Sequence, residues 1–141
     1  LGQETVPLNE SVGRTLSENI TAHFPSPRFD NSAMDGFAVR SEDTKNASKD
    51  NPVQLKIVGV SSAGSPFNMS IGPRECIQCM TGAKIPEGSD SVVMVEDTSG
   101  FKDENNVQIM IESYPGKHIR EKGEEINEDD TLIDARVERV N

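Results

Sequence analysis

Apolar and polar residues alternate in two stretches of the chain, 53–60 and 107–112. Alternation places the apolar side chains on one face of an extended backbone, so both stretches are predicted as half-buried strands. A continuous apolar run at 92–95 is typical of a strand that is buried on both faces. The segments 34–40 and 75–80 are also predicted as strands.

The segments between these strands are rich in turn-forming residues. Prolines and glycines interrupt 61–73, which is predicted as a loop. Polar residues fill 41–52, which is predicted as a loop or one helical turn. A longer loop is expected over 114–125, and short strands are expected at 132–133 and 137–140.

One short helix is predicted near the N-terminus, from Glu10 to Leu16. Asn9 is a good N-cap, and Val12 and Leu16 lie at helical spacing, although Gly13 lowers the helix propensity of the segment. Together with about five to seven short strands separated by frequent turns, this helix predicts a mainly β fold, a small barrel or sandwich.

The composition is that of a small acidic protein. The chain has 141 residues, of which 33% are hydrophobic and 4% aromatic, so a modest aliphatic core is expected. This length suits one domain or two small ones. A formal net charge of −10 argues against nucleic-acid binding, which needs clustered Lys and Arg. No apolar run reaches the roughly 18 residues of a membrane-spanning helix, so no membrane association is expected.

The two cysteines, Cys76 and Cys79, have the C-x-x-C spacing of some zinc and redox sites. On a strand, residues three apart point to opposite faces. Neither His23 nor His118 adds a spacing that suits a zinc site. We therefore interpret both cysteines as reduced thiols of a cytoplasmic protein.

Asp35 is the first candidate for chemistry, within the segment NSAMDGFA at 31–38. Gly36 allows close approach of a backbone or a ligand, and Ser32 and Ala33 leave room beside the carboxylate. Asp35 then binds a metal ion, or a hydroxyl or amine of a ligand. The alternative is that Asp35 caps a turn through its own backbone, as Asp-Gly pairs often do.

Thr81 and Gly82 form the second candidate, directly after the predicted strand 75–80. A hydroxyl and exposed backbone N–H groups at the end of a strand can hold an anion. The alternative is an ordinary turn in which Gly82 adopts positive φ. Spacing alone leaves both interpretations open.

The third candidate is the segment GKHIREKGEEI at 116–126. Arg120 can grip a phosphate bidentately, and Glu124 or Glu125 can bind Mg²⁺ or an amine. The alternative is a solvated charged loop with an internal ion pair. The sequence contains no P-loop and no G-x-G-x-x-G segment.

In their order and separation, these motifs resemble the MoeA/gephyrin E-domain family. The resemblance lies in FDNSAMDGFAVR at 29–40, MTGAKIPEG at 80–88 and the segment 116–126, and it extends over about 6–133. Members of that family are molybdopterin molybdenumtransferases. They insert molybdate into adenylylated molybdopterin in molybdenum cofactor biosynthesis, release AMP and involve Mg²⁺. Whether this chain handles molybdate or tungstate stays open.

The resemblance also implies a domain organisation. Residues 23–129 would form a small twisted, bifurcated β-barrel-like domain with the cleft motifs. Residues 1–22 and 130–141 would form a partial linker or dimer domain. The family's α/β molybdopterin-binding domain and C-terminal β domain would lie outside this sequence, so the fragment is expected to be inactive alone. The full-length protein is expected to be a homodimer with a molybdopterin adenylyltransferase as partner.

Matching the motifs residue by residue assigns expected roles. Residues expected to take part in catalysis are Asp35, Thr81, Arg120 and Glu125. Residues expected to bind the cofactor are Ser32, Gly36, Gly82, Gly123 and Glu124. Asp35 and Glu125 are the candidate metal ligands, although Glu125 stands where most members have Asp. The resemblance leaves a second function open, a non-catalytic dimerisation or scaffold module, which would not need the set of Asp35, Thr81 and Arg120.

Overall fold

The structure, a computed structural model, describes residues 2–135 of the chain. It divides into two compact units, one formed by the residues up to Arg28 together with those from Gly123 onward, the other by Phe29–Lys122. Within the described residues there are short strands and single 3-10 turns but no α-helix, and no helix long and apolar enough to cross a membrane.

The described strands are mostly two to five residues long, as their bounds show. They are β1 (Ile20–Thr21), β2 (Asn31–Ser32), β3 (Gly36–Val39), β4 (Val53–Ser61), β5 (Glu75–Cys79), β6 (Ser91–Met94), β7 (Asn106–Ile109), β8 (Ile119–Arg120) and β9 (Thr131–Ile133). The 3-10 turns are Leu8–Glu10, Ser41–Thr44 and Val95–Asp97.

The larger unit is built on a five-stranded sheet in the order β6-β3-β5-β4-β7. The neighbours pair antiparallel except for β4 and β5, which run parallel. Parallel neighbours need a long crossover, and the loop over 62–74 supplies it. The register of β4 against β5 shifts between Ile57 and Val60, and such a bulge bends the strand.

The core lies on both faces of this sheet. One face carries a cluster around Phe37, Leu55 and Cys76, and the other a cluster around Ile77 and Cys79. The two cysteines are buried free thiols in different clusters, which confirms that they point to opposite faces. Burial raises the pKa of Cys76 to about 12 and that of Cys79 to about 11, so both stay protonated near neutral pH.

In its described part, the smaller unit has the antiparallel pair β1 with β9 and a bridge between Ser26 and Ile126. The predicted helix from Glu10 to Leu16 is wrong. The chain makes only the 3-10 turn Leu8–Glu10, and Gly13 then takes a left-handed φ of 82°. Val12 is 69% exposed, so no apolar face is buried that could stabilise so short a helix.

Elsewhere the predicted pattern is confirmed, with most strand ends shifted by one or two residues. The strands expected at 34–40, 53–60, 75–80 and 92–95 are present, and so is the short helical turn within 41–52. The strand expected over 107–112 ends earlier, at Ile109. The mainly β fold is confirmed.

The predicted loop over 114–125 is wrong in one respect, because it contains β8. This strand pairs antiparallel with β2, which was not predicted either. Two-residue strands carry no periodicity, so only tertiary pairing reveals them. The strand expected at 132–133 lies within β9, and the one expected at 137–140 falls outside the described residues.

Candidate functional site

Asp35 lies on the turn that joins β2 to β3. Its backbone carbonyl accepts a hydrogen bond of 2.9 Å from the amide of Val95, just after β6. The next residue, Gly36, begins β3 and pairs with Cys79 on one side and Met94 on the other. The backbone is therefore fixed in the sheet, while the Asp35 side chain is exposed.

The Asp35 carboxylate contacts Thr81, which is 46 residues away along the chain. Asp35 Oδ1 accepts hydrogen bonds from both the Thr81 amide and the Thr81 Oγ1 hydroxyl, each 2.8 Å long. The amide, and then the hydroxyl, hold the pKa of Asp35 below its usual value, so the group is ionised near neutral pH. The Asp35 side chain thus accepts hydrogen bonds from a second motif and not from its own turn. Its Oδ2 accepts no hydrogen bond from the described residues.

Backbone hydrogen bonds with Ser32 hold the Thr81-Gly82 turn in place. Gly82 has a φ of 84° and donates its N–H to the Ser32 carbonyl at 2.8 Å, while the Ser32 amide donates to Ala83 at 2.9 Å. A Cβ on Gly82 would meet no atom within 4 Å, so the need for glycine comes from its backbone conformation. This fits the interpretation of the pair as a turn, and the turn aims the Thr81 donors at Asp35.

Two of the expected cofactor-binding residues are enclosed by protein. Ser32 has no exposed surface, and its hydroxyl donates to the Met34 carbonyl. Gly36 lies so close to β6 that an added Cβ would sit 1.9 Å from the Val93 carbonyl oxygen. Packing therefore accounts for both small residues, and their contact with a ligand stays a prediction.

Arg120 joins the same cluster from β8. It stands opposite Asn31 in the β2–β8 pair, and its Nη2 donates to the Ser32 carbonyl at 3.4 Å. The side chain is half-buried, and its Nε is buried with no hydrogen-bond partner among the described residues. The larger unit therefore gathers most of the expected site, namely Ser32, Asp35, Gly36, Thr81, Gly82 and Arg120.

The remaining expected residues lie in the smaller unit. Gly123 is buried at a φ of 74° and donates its amide to the Pro27 carbonyl at 2.9 Å. Glu124 and Glu125 are exposed. Glu125 accepts a long hydrogen bond of 3.4 Å from the Ser26 hydroxyl. Hydrogen bonds thus tie Gly123 and Glu125 to the chain around Ser26 and Pro27.

A metal ion would find only a partial set of ligands. No group of three or more His, Cys, Asp or Glu side chains among residues 2–135 is arranged to hold a metal ion. Mg²⁺ usually keeps several waters and binds through one or two carboxylates together with substrate phosphates. An ionised Asp35 with Oδ2 open fits as one such carboxylate.

Sequence reasoning gave no role to Asn31 and His118. Asn31 is 6% exposed, and its Oδ1 has no hydrogen-bond partner within the described part of the chain. The His118 carbonyl accepts the Ala33 amide at 2.9 Å, and its ring Nδ1 lies 3.1 Å from the Val92 carbonyl oxygen. The two residues lie in or beside β2 and β8, and their backbone partners across that pair are too far along the chain for spacing to indicate them.

Comparison with known proteins gives a consistent result. Residues 1–138 match the family described as MoeA N-terminal region (domain I and II). Molybdopterin molybdenumtransferase 2 of Mycobacterium tuberculosis is 41% identical over 129 residues, which are 92% of this chain and 31% of that protein. The molybdopterin molybdenumtransferase of Bacillus subtilis is 39% identical over 132 residues, with the same coverages. The chain thus spans about a third of the length of these relatives.

The fold has a counterpart among solved structures. The crystal structure of the molybdopterin biosynthesis moeA protein from Pyrococcus horikoshii OT3 superposes with a TM-score of 0.84 at 32% identity. The match covers 94% of this chain and 34% of that one. The similarity therefore includes nearly every element described above.

Proposed function

This chain belongs to the family of MoeA N-terminal regions, domains I and II, and on that premise we propose that it forms one side of the active cleft of a molybdopterin molybdenumtransferase. The reaction is the insertion of molybdate, or tungstate, into adenylylated molybdopterin. The observation that carries the proposal is the exposed Asp35 carboxylate, which Thr81 orients from another loop of the sheet.

A carboxylate in this position needs an intermediary, because the substrates are anionic. Molybdate and the phosphates of adenylylated molybdopterin would be repelled by Asp35 and by a chain of net charge −10. We propose that Asp35 Oδ2 binds Mg²⁺ or accepts a hydrogen bond from the substrate. Bound Mg²⁺ would supply Lewis-acid stabilisation of phosphate oxygens.

Arg120 supplies the local positive charge in this proposal. Its guanidinium is held against β2 by the Ser32 carbonyl, so it loses little freedom when an anion binds. Charge-assisted hydrogen bonds from arginine to phosphate are among the stronger ones in proteins. Arg120 therefore attracts an anion locally, whereas the net negative charge of the chain repels it.

Glu124 and Glu125, which lie in the smaller unit, are also proposed to have functional roles. Glu125 keeps the carboxylate found at this position in the family but carries one more methylene, so it reaches further from the backbone. Glu125 is proposed as a metal ligand and catalytic residue, and Glu124 and Gly123 as cofactor-binding residues. Their exposed or turn positions are compatible with these roles.

The proposed enzyme is larger than this chain. The relatives named above are about three times as long. We propose that the parent protein adds the α/β and C-terminal β domains, works as a cytoplasmic homodimer and receives its substrate from a molybdopterin adenylyltransferase. On this account, the chain alone holds half of the cleft and is inactive.

The activity of the full-length parent tests this proposal. The purified parent is expected to release AMP from adenylylated molybdopterin only when molybdate or tungstate is present. The isolated chain at the same molar concentration is expected to release none. A parent that gives no oxyanion-dependent release under conditions where a known family member does would contradict the proposal.

A further inference from the structure

Ser32 touches every motif of the larger unit although it is fully buried. We propose that Ser32 is the positioning residue of the site, because its carbonyl and hydroxyl together hold the Asp35 turn, the Thr81-Gly82 turn and Arg120 in one arrangement. The catalytic consequence rests on the proposed function, whereas the positioning itself can be measured in this chain.

The Ser32 backbone joins the second and third motifs. Its carbonyl oxygen accepts the Gly82 amide at 2.8 Å and Arg120 Nη2 at 3.4 Å, and its amide donates to the Ala83 carbonyl at 2.9 Å. A movement of Ser32 therefore shifts the Thr81 turn and the Arg120 guanidinium together. None of these contacts uses the serine side chain, and the pairing of Ser32 with Ile119 also holds this backbone, so the hydroxyl can add a further restraint.

The Ser32 hydroxyl supplies that restraint. It donates to the Met34 carbonyl and accepts from the Met34 amide at 3.3 Å, which closes the turn directly before Asp35. Local hydrogen bonds of serine to nearby backbone stabilise such turns. The side chain thus stabilises the turn that leads from β2 to Asp35.

Burial separates this role from ligand binding. With no exposed surface, the Ser32 side chain lies under the site and not at its surface. Asp35 and Thr81, in contrast, are exposed above it. A substrate would therefore meet the groups that Ser32 arranges, which makes Ser32 a positioning residue and not a catalytic one.

The test is an NMR titration of the Asp35 carboxyl in this chain with Ser32→Ala. In the unsubstituted chain the Thr81 amide and hydroxyl hold the pKa of Asp35 below its usual value. In the variant we expect the pKa of Asp35 to rise towards the ordinary aspartate value, and the Thr81 amide resonance to move, because the two turns are no longer held in register. If the alanine variant does not fold, Ser32→Cys is titrated instead. A smaller rise in the pKa of Asp35 is expected, because the thiol keeps a weak donor in place of the hydroxyl.

Thr44 provides the matched control. It is also fully buried, its hydroxyl donates to the Ser41 carbonyl at 2.7 Å, and it accepts the Ser113 amide at 2.8 Å. Thr44→Val removes the same kinds of hydrogen bond away from the site. It is expected to lower stability but to leave the pKa of Asp35 and the Thr81 amide resonance unchanged.

The outcomes separate this inference from the proposed function. A folded Ser32→Ala chain with unchanged Asp35 pKa and Thr81 resonance overturns the positioning role, whatever the parent enzyme does. In the active parent, the same variant is expected to lower kcat about tenfold or more with a smaller effect on KM, because misplaced groups chiefly affect the transition state. A parent without transferase activity would contradict the function and leave the titration result intact.

Discussion

Thr81 donates two hydrogen bonds of 2.8 Å to a single oxygen of Asp35, one from its amide and one from its hydroxyl. The two residues come from different loops, and both are exposed. The arrangement keeps one carboxylate oxygen occupied and directs the other outward. An ionised group with fixed orientation is what electrostatic preorganisation requires.

The first prediction concerns the Thr81 hydroxyl. Thr81→Val removes one donor but keeps the amide, which is the larger cause of the lowered pKa of Asp35. The pKa of Asp35 is therefore expected to rise but to stay below its usual value. An NMR titration of the side-chain carboxyl measures this, with the exposed Thr131→Val as control.

The same pair predicts a pH dependence of folding stability. The pKa of Asp35 is lower in the folded chain than in the unfolded chain, so its contribution is present above the unfolded aspartate value of about 3.9 and is lost as pH falls through the folded value. Asp35→Asn is thus expected to flatten the acid limb of stability. Urea unfolding between neutral and acidic pH measures it, and an unchanged limb would argue against the Asp35–Thr81 interaction in solution.

Another prediction concerns the packing at Gly36. Any Cβ there would collide with the Val93 carbonyl oxygen at 1.9 Å, so β3 and β6 would have to separate. Gly36→Ala is expected to destabilise the chain by roughly 1–3 kcal/mol or more. Gly2→Ala, where a Cβ meets nothing within 4 Å, is the control. Equal urea midpoints for the two variants would contradict the packing.

The cysteines give a prediction on reactivity and alkaline stability. Cys76 and Cys79 are fully buried, and burial raises their pKa to about 12 and about 11. Neither thiol is expected to react with a thiol reagent near neutral pH until the chain is unfolded in urea. Because the unfolded thiols ionise first, stability is expected to fall as pH rises above about 8.5, the ordinary thiol value. Rapid modification of the native chain would contradict this burial.

Much of the fold could be predicted from the sequence, because β4 and β7 show alternating side chains and β6 a continuous apolar run. The helix predicted from Glu10 to Leu16 does not form, because helical spacing without a surface to pack against does not stabilise a helix. Strands β2 and β8 are too short for any period.

The candidate site was predictable only in part. Spacing alone favoured separate turns around Asp35 and Thr81, and the resemblance to a family indicated that they act together. Their contact depends on the antiparallel pairing of β3 with β5, which the sequence does not display. The importance of Ser32 is equally hidden, since its partners are backbone groups of distant residues.

The most direct test is the molybdate-dependent release of AMP by the full-length parent carrying Asp35→Asn, compared with Asp103→Asn. Asp103 is also exposed, and its Oδ1 likewise accepts two backbone amides, from Asn105 at 2.7 Å and Asn106 at 3.2 Å. Both variants are expected to fold. The Asp35 variant is expected to lose activity by about 100-fold or more and the Asp103 variant to keep it. Activity of a folded Asp35→Asn parent equal to that of the unsubstituted enzyme would contradict the central claim.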